Sequence, residues 1–304
     1  MMRIFPFILA MIWLSVASRI AAQDKAQLEI GDGRIDVAFS STPTEPLRTL
    51  VLGWVTSSAR AVTVYDERFP VSHLQLKIRF FEGRGVHGGR TTGWNGAKIA
   101  IAVGRSSTSA DFADDWVLTH EMVHLAFPSV AQEHHWIEEG SATYIEPIAR
   151  TRAGDLTPEK VWGDLVEGLP QGLPKSGDRG LDFTPTWGRT YWGGALFCLL
   201  ADIEIRKRTA NGKGLEDALR AILNAGGTIE SDWSLTRALD VGDRATGFPV
   251  LRELYDKMKA AAVPTDLKAL WTNLGVARRN GKIEFNDAAP LAPIRKAITK
   301  RTAR

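Results

Sequence analysis

The sequence predicts an α+β fold, in which a small mixed sheet and one buried helix precede a mostly helical C-terminal part. Residues His73 to Phe80 alternate between apolar and polar side chains, as a half-buried strand does. Ala97 to Val103 forms a second predicted strand, and Pro46 to Tyr65 a helix whose proline is tolerated in the first turn. After Pro147 the pattern is mostly helical.

Composition is that of a globular protein, because 44% of the 304 residues are hydrophobic and 24% are charged. This length suits one large domain or two small ones. We expect three parts. Residues 1–22 are a signal peptide, residues 23–150 an N-terminal lobe with the sheet and the metal-binding helices, and residues 151–304 a helical C-terminal lobe that completes the cleft.

The first 22 residues have the features of a secretory signal. Arg3 precedes an apolar run from Ile4 to Ala17, and the small residues Ala21 and Ala22 follow. The run is too short to span a membrane. We therefore expect an exported protein, periplasmic or extracellular, without a stable membrane anchor after cleavage.

The net charge bears on nucleic-acid binding, and the cysteine content bears on disulfide bonds. The formal net charge of +3 falls to +1 once Arg3 and Arg19 leave with the signal, so the basic pI does not indicate nucleic acid as a partner. Cys198 is the only cysteine, which excludes an internal disulfide. Its apolar surroundings indicate a small buried side chain. The oligomeric state is left open.

The segment with most chemical information is His120-Glu121-Met122-Val123-His124. Helix residues four apart share a face, so both imidazoles can reach one metal ion. Glu121 lies between them, where it can reach a metal-bound water as a general base. The segment resembles the His-Glu-x-x-His motif of zinc metallopeptidases. Chance matches occur in on the order of one chain per hundred, so the neighbouring residues matter.

These neighbours predict a buried helix. Asp111, Asp114 and Asp115 come before it, where acidic side chains favour a helix start. Apolar side chains surround the helix on nearly all sides, and Pro128 ends it. Buried histidines need either hydrogen-bond partners or a metal ion. A pair of hydrogen-bonded core histidines is therefore the alternative to a metal site.

A catalytic zinc site needs three protein ligands and one open position. The stretch from Trp136 to Tyr144 resembles the Trp-x-x-Glu-Gly-x-Ala/Thr-x-Tyr segment of gluzincin metallopeptidases, which include aminopeptidase N and the bacterial glycyl aminopeptidases. This resemblance implies that Glu139 is the third ligand. His135, one turn earlier, is the rival ligand, and Glu138 is a neighbour of the site.

A second stretch, from Thr190 to Arg206, looks like a helix of the glycyl aminopeptidase family. That resemblance implies that Tyr191 donates a hydrogen bond to the tetrahedral oxyanion, and the alternative is a core aromatic at a helix start. Glu146 lies seven residues after Glu139 on the same helix face. It either accepts a hydrogen bond from a ligand imidazole or is a solvated acid at the helix end.

One feature of aminopeptidase N is missing. Those enzymes hold the free amine of the substrate with the Glu of a Gly-x-Met-Glu-Asn stretch, and the corresponding residues here, Gly93 to Val103, contain no acid. Aminopeptidase specificity is therefore not implied. We expect the strand Ala97–Val103 to be the open edge that pairs with an extended substrate. Loops at Leu169 to Gly180 and Asp182 to Gly188 are expected to overhang the cleft.

Together, these resemblances imply a secreted zinc metallopeptidase with a zincin-like fold that acts on peptides or proteins. His120, His124 and Glu139 would bind one Zn²⁺ ion. Glu121 would activate the zinc-bound water, and Tyr191 would stabilise the oxyanion. Two alternatives stay open, namely a zinc amidase acting on cell-wall peptides and a non-catalytic binding protein with the same fold. Exopeptidase and endopeptidase activity are not distinguished.

Overall fold

A computed structural model describes residues 24–302. The predicted signal peptide lies outside the described residues. The N-terminal part is built around one five-stranded sheet. Its strands are β1 (Lys25–Ile30), β2 (Gly33–Phe39), β3 (His73–Phe81), β4 (Val86–Thr92) and β5 (Ala97–Gly104).

The sheet is mixed and has the strand order β1-β2-β3-β5-β4. Strands β2, β3 and β5 are parallel, whereas β1 and β4 are antiparallel to their neighbours. The expectation that Ala97–Val103 forms the open edge was wrong, because β5 lies between β3 and β4. The edge strand is β4, which folds back on β5 as a hairpin. Its sequence, Val-His-Gly-Gly-Arg-Thr-Thr, lacks the apolar alternation that would have predicted a strand.

One face of the sheet forms part of the core. Leu74, Leu76 and Ile78 of β3 are fully buried, and Leu76 and Ile78 pair in register with Ile99 and Ile101 of β5. Apolar residues on alternate positions of neighbouring strands thus form one continuous apolar surface. This surface belongs to the same core as the buried side of the first helix, α1 (Glu45–Asp66).

The remaining structure is mostly helical, as predicted. Ten further helices follow α1: α2 (Ser109–Asp114), α3 (Val117–Val123), α4 (His135–Ala153), α5 (Pro158–Gly168), α6 (Gly194–Arg208), α7 (Leu215–Asn224), α8 (Leu235–Thr246), α9 (Val250–Met258), α10 (Leu267–Leu274) and α11 (Ala292–Ile298). A small hairpin of β6 (Val276–Arg279) and β7 (Lys282–Phe285) lies between α10 and α11. The α+β fold class is therefore confirmed. The predicted lobe division at residue 150 falls within α4 and stays a prediction.

The buried helix of the motif is shorter than the sequence pattern suggests. Asp115 takes an extended conformation after α2, and α3 begins at Val117. The Asp115 carboxylate accepts hydrogen bonds from the backbone nitrogens of Val117 (3.1 Å) and Leu118 (3.2 Å), and from Nε1 of Trp54 (3.0 Å). It therefore caps the new helix. A short 3₁₀ turn, His124–Ala126, continues α3 up to the region of Pro128.

A buried polar network holds the helices behind the motif together. Asp202 of α6 accepts hydrogen bonds from the hydroxyl of Tyr144 (2.9 Å), from Nε of Arg206 (2.7 Å) and from the backbone nitrogen of Leu215 (3.0 Å). These contacts link α4, α6 and α7 at one point. Cys198 is buried in α6, as predicted.

None of the helices between residues 24 and 302 is both long enough and apolar enough to cross a membrane.

Candidate metal centre

His120 and His124 lie one turn apart, at the end of α3 and the start of the 3₁₀ turn. Their ring centroids are 4.9 Å apart. The Nε2 atom of His120 is 3.1 Å from Oε2 of Glu139, and that of His124 is 3.7 Å from the same oxygen. The fold thus brings the three predicted ligands together.

This cluster fits one zinc ion by its chemistry and by its size. Two imidazole nitrogens and one carboxylate oxygen lie within 4.8 Å of one another. In a tetrahedral zinc site with bonds of about 2.0–2.1 Å, ligand atoms are separated by roughly 3.3–3.4 Å. The two measured nitrogen–oxygen distances lie on either side of that value. In the described part of the chain, His120, His124 and Glu139 are the one group found with this arrangement.

Two glycines allow α4, the helix of Glu139, to pack closely against α6. A Cβ atom on Gly140 would lie 2.3 Å from Cα of Gly194, and one on Gly194 would lie 2.1 Å from the carbonyl oxygen of Trp136. Helix α4 therefore crosses the start of α6 at backbone contact distance. This crossing brings together the segments that contain Glu139, next to Gly140, and Tyr191, three residues before Gly194.

The pKa shifts of the cluster favour an ionised Glu139 and a neutral His120, whereas that of His124 goes the other way. Burial by itself would raise the pKa of Glu139, but hydrogen bonds with His120, His124 and His135 lower it far below its usual range. Burial lowers the pKa of His120. For His124 the carboxylates of Glu139 and Glu121 outweigh burial and raise its pKa. An ionised carboxylate and a neutral imidazole are the forms that bind metal.

Glu121 lies against the edge strand of the sheet. Oγ1 of Thr91 is 2.6 Å from Oε2 of Glu121 and 2.8 Å from its backbone oxygen. A Cβ atom on Gly89 would lie 2.4 Å from Cγ of Glu121, so the carboxyl group occupies the space that this glycine leaves open. The contacts of Thr91 and Gly89 with Glu121 were not predicted, because the glycine-rich β4 has no strand-like pattern. The role of Glu121 as the base stays a prediction.

Tyr191 also reaches the cluster, from a single π-helical turn, Arg189–Gly193, that precedes α6. Its ring is roughly parallel to that of His120, with centroids 6.2 Å apart and an interplanar angle of 21°. Burial, and then the charge of Glu139 and a hydrogen bond to it, raise the pKa of Tyr191 to about 12. The phenol therefore keeps its proton at neutral pH, as a hydrogen-bond donor must.

The two neighbouring candidates, His135 and Glu138, contact each other. Nδ1 of His135 is 2.8 Å from Oε2 of Glu138, whose other oxygen accepts a hydrogen bond from the backbone nitrogen of Val130 (3.3 Å). Hydrogen bonds with Glu138 and Glu139 raise the pKa of His135 to about 10. The group whose ligand atoms lie within 4.8 Å of one another consists of His120, His124 and Glu139 and does not include His135, the rival ligand.

Glu146 does not bond to a ligand imidazole. Its Oε1 accepts a hydrogen bond from Nη1 of Arg150, 2.9 Å away and one turn further along α4. The Nδ1 atom of His120 is buried and has no hydrogen-bond partner among the described residues. Glu146 is buried rather than solvated, and burial raises its pKa to about 7. Glu146 therefore has neither expected role. It does not accept a hydrogen bond from a ligand imidazole, and it is not a solvated acid but a buried partner of Arg150.

The cluster lies between two cavities. The aromatic cavity, about 380 Å³, lies on the side of His120 and Tyr191 and is also lined by Trp116, Trp187 and Trp192. The polar cavity, about 780 Å³, lies on the side of Glu121 and His124 and is bordered by residues 90–95. Gln171 and Trp187 from the two predicted overhanging loops line the aromatic cavity.

The polar cavity is bordered by residues of β4 and not by β5, the strand that was expected to pair with a substrate. Part of the stretch Gly93–Val103 borders this cavity, but the strand beside Glu121 is β4. Residues Val86–Thr92 of β4 also contain no acidic side chain.

No protein-family model and no curated protein matches this sequence. Solved structures do resemble the fold. An aminopeptidase N family protein from Idiomarina loihiensis matches with a TM-score of 0.61 and 13% identity, over 83% of this chain and 49% of that one. An M1 zinc metallopeptidase from Deinococcus radiodurans matches with a TM-score of 0.53 and 16% identity, over 80% of this chain and 53% of that one.

A mutant of the Deinococcus radiodurans enzyme bound to a Tyr-Ser-Ala substrate matches with a TM-score of 0.51 and 14% identity, over 80% of this chain and 53% of that one. The chain thus has the fold of M1 zinc metallopeptidases and spans about half the length of these neighbours. At such low identity the likeness concerns the fold, and activity has to be argued from the site.

Proposed function

We propose that this protein is an exported zinc metallopeptidase of the gluzincin type that hydrolyses peptide bonds. One observation carries the proposal, which is the convergence of His120, His124 and Glu139, with Glu121 lining the same cavity as His124 and Glu139. Export rests on the sequence of residues 1–22 alone.

The chain supplies an acid–base group and a hydrogen-bond donor for such a reaction. A zinc ion held by the three ligands would supply a Lewis acid and lower the pKa of water toward about 7. Glu121 would take a proton from the attacking water and deliver it to the leaving amine nitrogen. The hydrogen bond from Thr91 would hold this carboxylate in one orientation. Tyr191 would donate to the oxyanion that forms on the scissile carbonyl.

The experiment uses protein starting at Gln23, loaded with zinc and incubated with a mixed peptide pool. Cleavage is read by mass spectrometry beside the Glu121→Gln variant, which removes the base and keeps the side-chain shape. We expect cleavage by the wild type and a loss of roughly 100-fold or more in the variant, because general base catalysis contributes about 10²–10⁴-fold. Both proteins should contain the same amount of zinc. Equal cleavage by the two proteins would refute the mechanism.

The positions of the cuts define the kind of peptidase, since cuts confined to chain ends indicate an exopeptidase. A zinc-loaded wild type that leaves the pool intact but cleaves cell-wall peptides would favour the amidase alternative. Zinc-loaded protein that cleaves neither would favour the binding-protein alternative.

A further inference from the structure

Two exposed tryptophans make ring contacts with His120 and Tyr191 of the metal centre. Trp116 is 52% exposed and Trp187 is 61% exposed, although large aromatic side chains normally bury most of their surface. The ring of Trp116 meets His120 edge-on at 5.4 Å, and that of Trp187 stacks on Tyr191 at 5.7 Å. Both rings are thus held against residues of the centre while much of their surface faces solvent. Such exposed apolar surface around a cleft indicates a binding site.

Both tryptophans line the aromatic cavity, together with Tyr191, Trp192 and Pro147. Its volume of about 380 Å³ falls within the roughly 300–1,000 Å³ of small-molecule sites. Because His120 is part of its wall, a group in the cavity would be next to the reacting bond.

The wall is already formed in the free protein. A Cβ atom on Gly168 would lie 2.1 Å from Cη2 of Trp192, so the ring of Trp192 rests directly on the backbone of α5. A Cβ atom on Gly172 would lie 2.3 Å from the backbone carbon of Trp192. Gly168 thus makes room for the ring of Trp192 and Gly172 for its backbone, and the cavity needs little rearrangement to accept a ligand.

The charges in the wall mostly neutralise one another. Glu146 pairs with Arg150 at 2.9 Å, and Lys160 pairs with Asp164 at 2.6 Å. Asp114 and Glu167 are exposed, and Glu167 pairs with Arg278, which lies outside the wall, at 3.3 Å. Paired charges do not attract an ion strongly, so the contact that the cavity offers comes chiefly from its aromatic rings. An aromatic side chain matches these rings in shape and polarity.

We propose that the aromatic cavity binds a bulky aromatic side chain of the substrate residue adjacent to the scissile bond. This inference rests on the proposed peptidase function and names its substrate class. Burial of an aromatic ring between others contributes about 1–3 kcal/mol, which corresponds to a preference of roughly five- to 150-fold over alanine.

The test combines cleavage with binding. Peptides that differ only in one residue flanking the cut, Phe, Leu, Lys or Ala, are compared for kcat/KM with the wild type, with Trp187→Ala and with Phe183→Ala. Phe183 is 52% exposed and lies outside both cavities, so it is the matched control. Binding of N-acetyl-phenylalaninamide and N-acetyl-lysinamide to the zinc-loaded proteins is followed by saturation-transfer NMR.

We expect a preference for Phe over Ala of at least about fivefold on one side of the cut. Trp187→Ala should reduce this preference and weaken the phenylalaninamide signal, whereas Phe183→Ala should change neither. Cleavage with equal rates for all four residues, or with Lys preferred, would overturn the inference and leave the peptidase proposal standing. Binding of phenylalaninamide that depends on Trp187, in protein that cleaves nothing, would support the aromatic cavity and overturn the peptidase proposal.

Discussion

The hydroxyl of Thr91 lies 2.6 Å from Oε2 of Glu121 and so connects the edge strand to the central acid of the motif. Gly89, two residues earlier on β4, leaves the space that this carboxyl group occupies. The side chain of Glu121 is therefore oriented by a strand that is distant from it in sequence. This relationship makes Thr91 a positioning residue for the base.

Removing this hydrogen bond should slow the reaction without affecting the metal. Thr91→Val deletes the hydroxyl at nearly constant volume, and hydrogen bonds to charged groups contribute about 1.5–3 kcal/mol, so kcat should fall about tenfold or more. Zinc content, measured by atomic emission, should stay at the wild-type level. Thr91→Ser keeps the donor and should restore most of the activity. A Val variant as fast as the wild type would contradict this role.

Tyr191→Phe should lower kcat and leave zinc content unchanged. The variant keeps the ring that stacks on His120 and removes the phenol hydroxyl. Loss of one oxyanion donor typically lowers kcat by about 10²–10³-fold. Steady-state kinetics on a single peptide separate kcat from KM. An unchanged kcat would mean that Tyr191 is only a packing residue of the cleft wall.

Metal affinity should depend on Glu139 and not on its neighbour. Glu139→Ala removes one of three ligands, so zinc affinity should fall by more than the roughly 10–100-fold typical of residues outside the coordination shell. Glu138→Ala is the matched control, because Glu138 contacts His135 and the backbone nitrogen of Val130 instead. Competition with a chelator of known affinity provides the measurement. Similar affinity losses in both variants would refute the ligand assignment.

Adding one methyl group where α4 crosses α6 should lower the stability of the protein. Gly140→Ala places a Cβ atom 2.3 Å from Cα of Gly194, and overpacking of this kind costs about 1–3 kcal/mol. Gly53→Ala in α1 is the control, because nothing lies within 4 Å of the added Cβ atom. That variant should gain about 0.5–1 kcal/mol from helix propensity. Chemical denaturation distinguishes the two, and an equally stable Gly140 variant would contradict the close approach of the helices.

Stability should fall with rising pH because of Asp66, at the end of α1. Burial, partly offset by Arg220 and Arg68, raises the pKa of this carboxyl from 3.8 to about 7. The folded state then keeps a proton that the unfolded state has already released, so the stabilising contribution is present below pH 4 and is lost as the pH rises through 7.

Asp66→Asn should remove this dependence. The variant should be more stable than the wild type at pH 8, by on the order of 1–3 kcal/mol, and similar to it at pH 4. Denaturation midpoints at the two pH values provide the comparison. A variant less stable than the wild type at pH 8 would show that ionised Asp66 is stabilised in the fold.

Local patterns predicted much of the fold. The helix Glu45–Asp66 and the strands His73–Phe81 and Ala97–Gly104 were found close to their predicted bounds, because each has a clear periodicity. Strand β4 was missed because two glycines in its middle interrupt any alternation of apolar side chains. The strand forms through its backbone pairing with β5. The same omission led to the wrong choice of edge strand.

The sequence by itself predicted which residues meet at the centre. The spacing of His120 and His124 places both rings on one helix face, and the likeness of residues 136–144 to a known segment indicated Glu139. Tertiary structure decided everything that depends on distant segments. It placed Thr91 on Glu121, paired Glu146 with Arg150, and brought Trp187 and Trp116 to one cavity. Such contacts join residues whose separation along the chain leaves no periodic pattern, so they follow from the packing of helices and sheet.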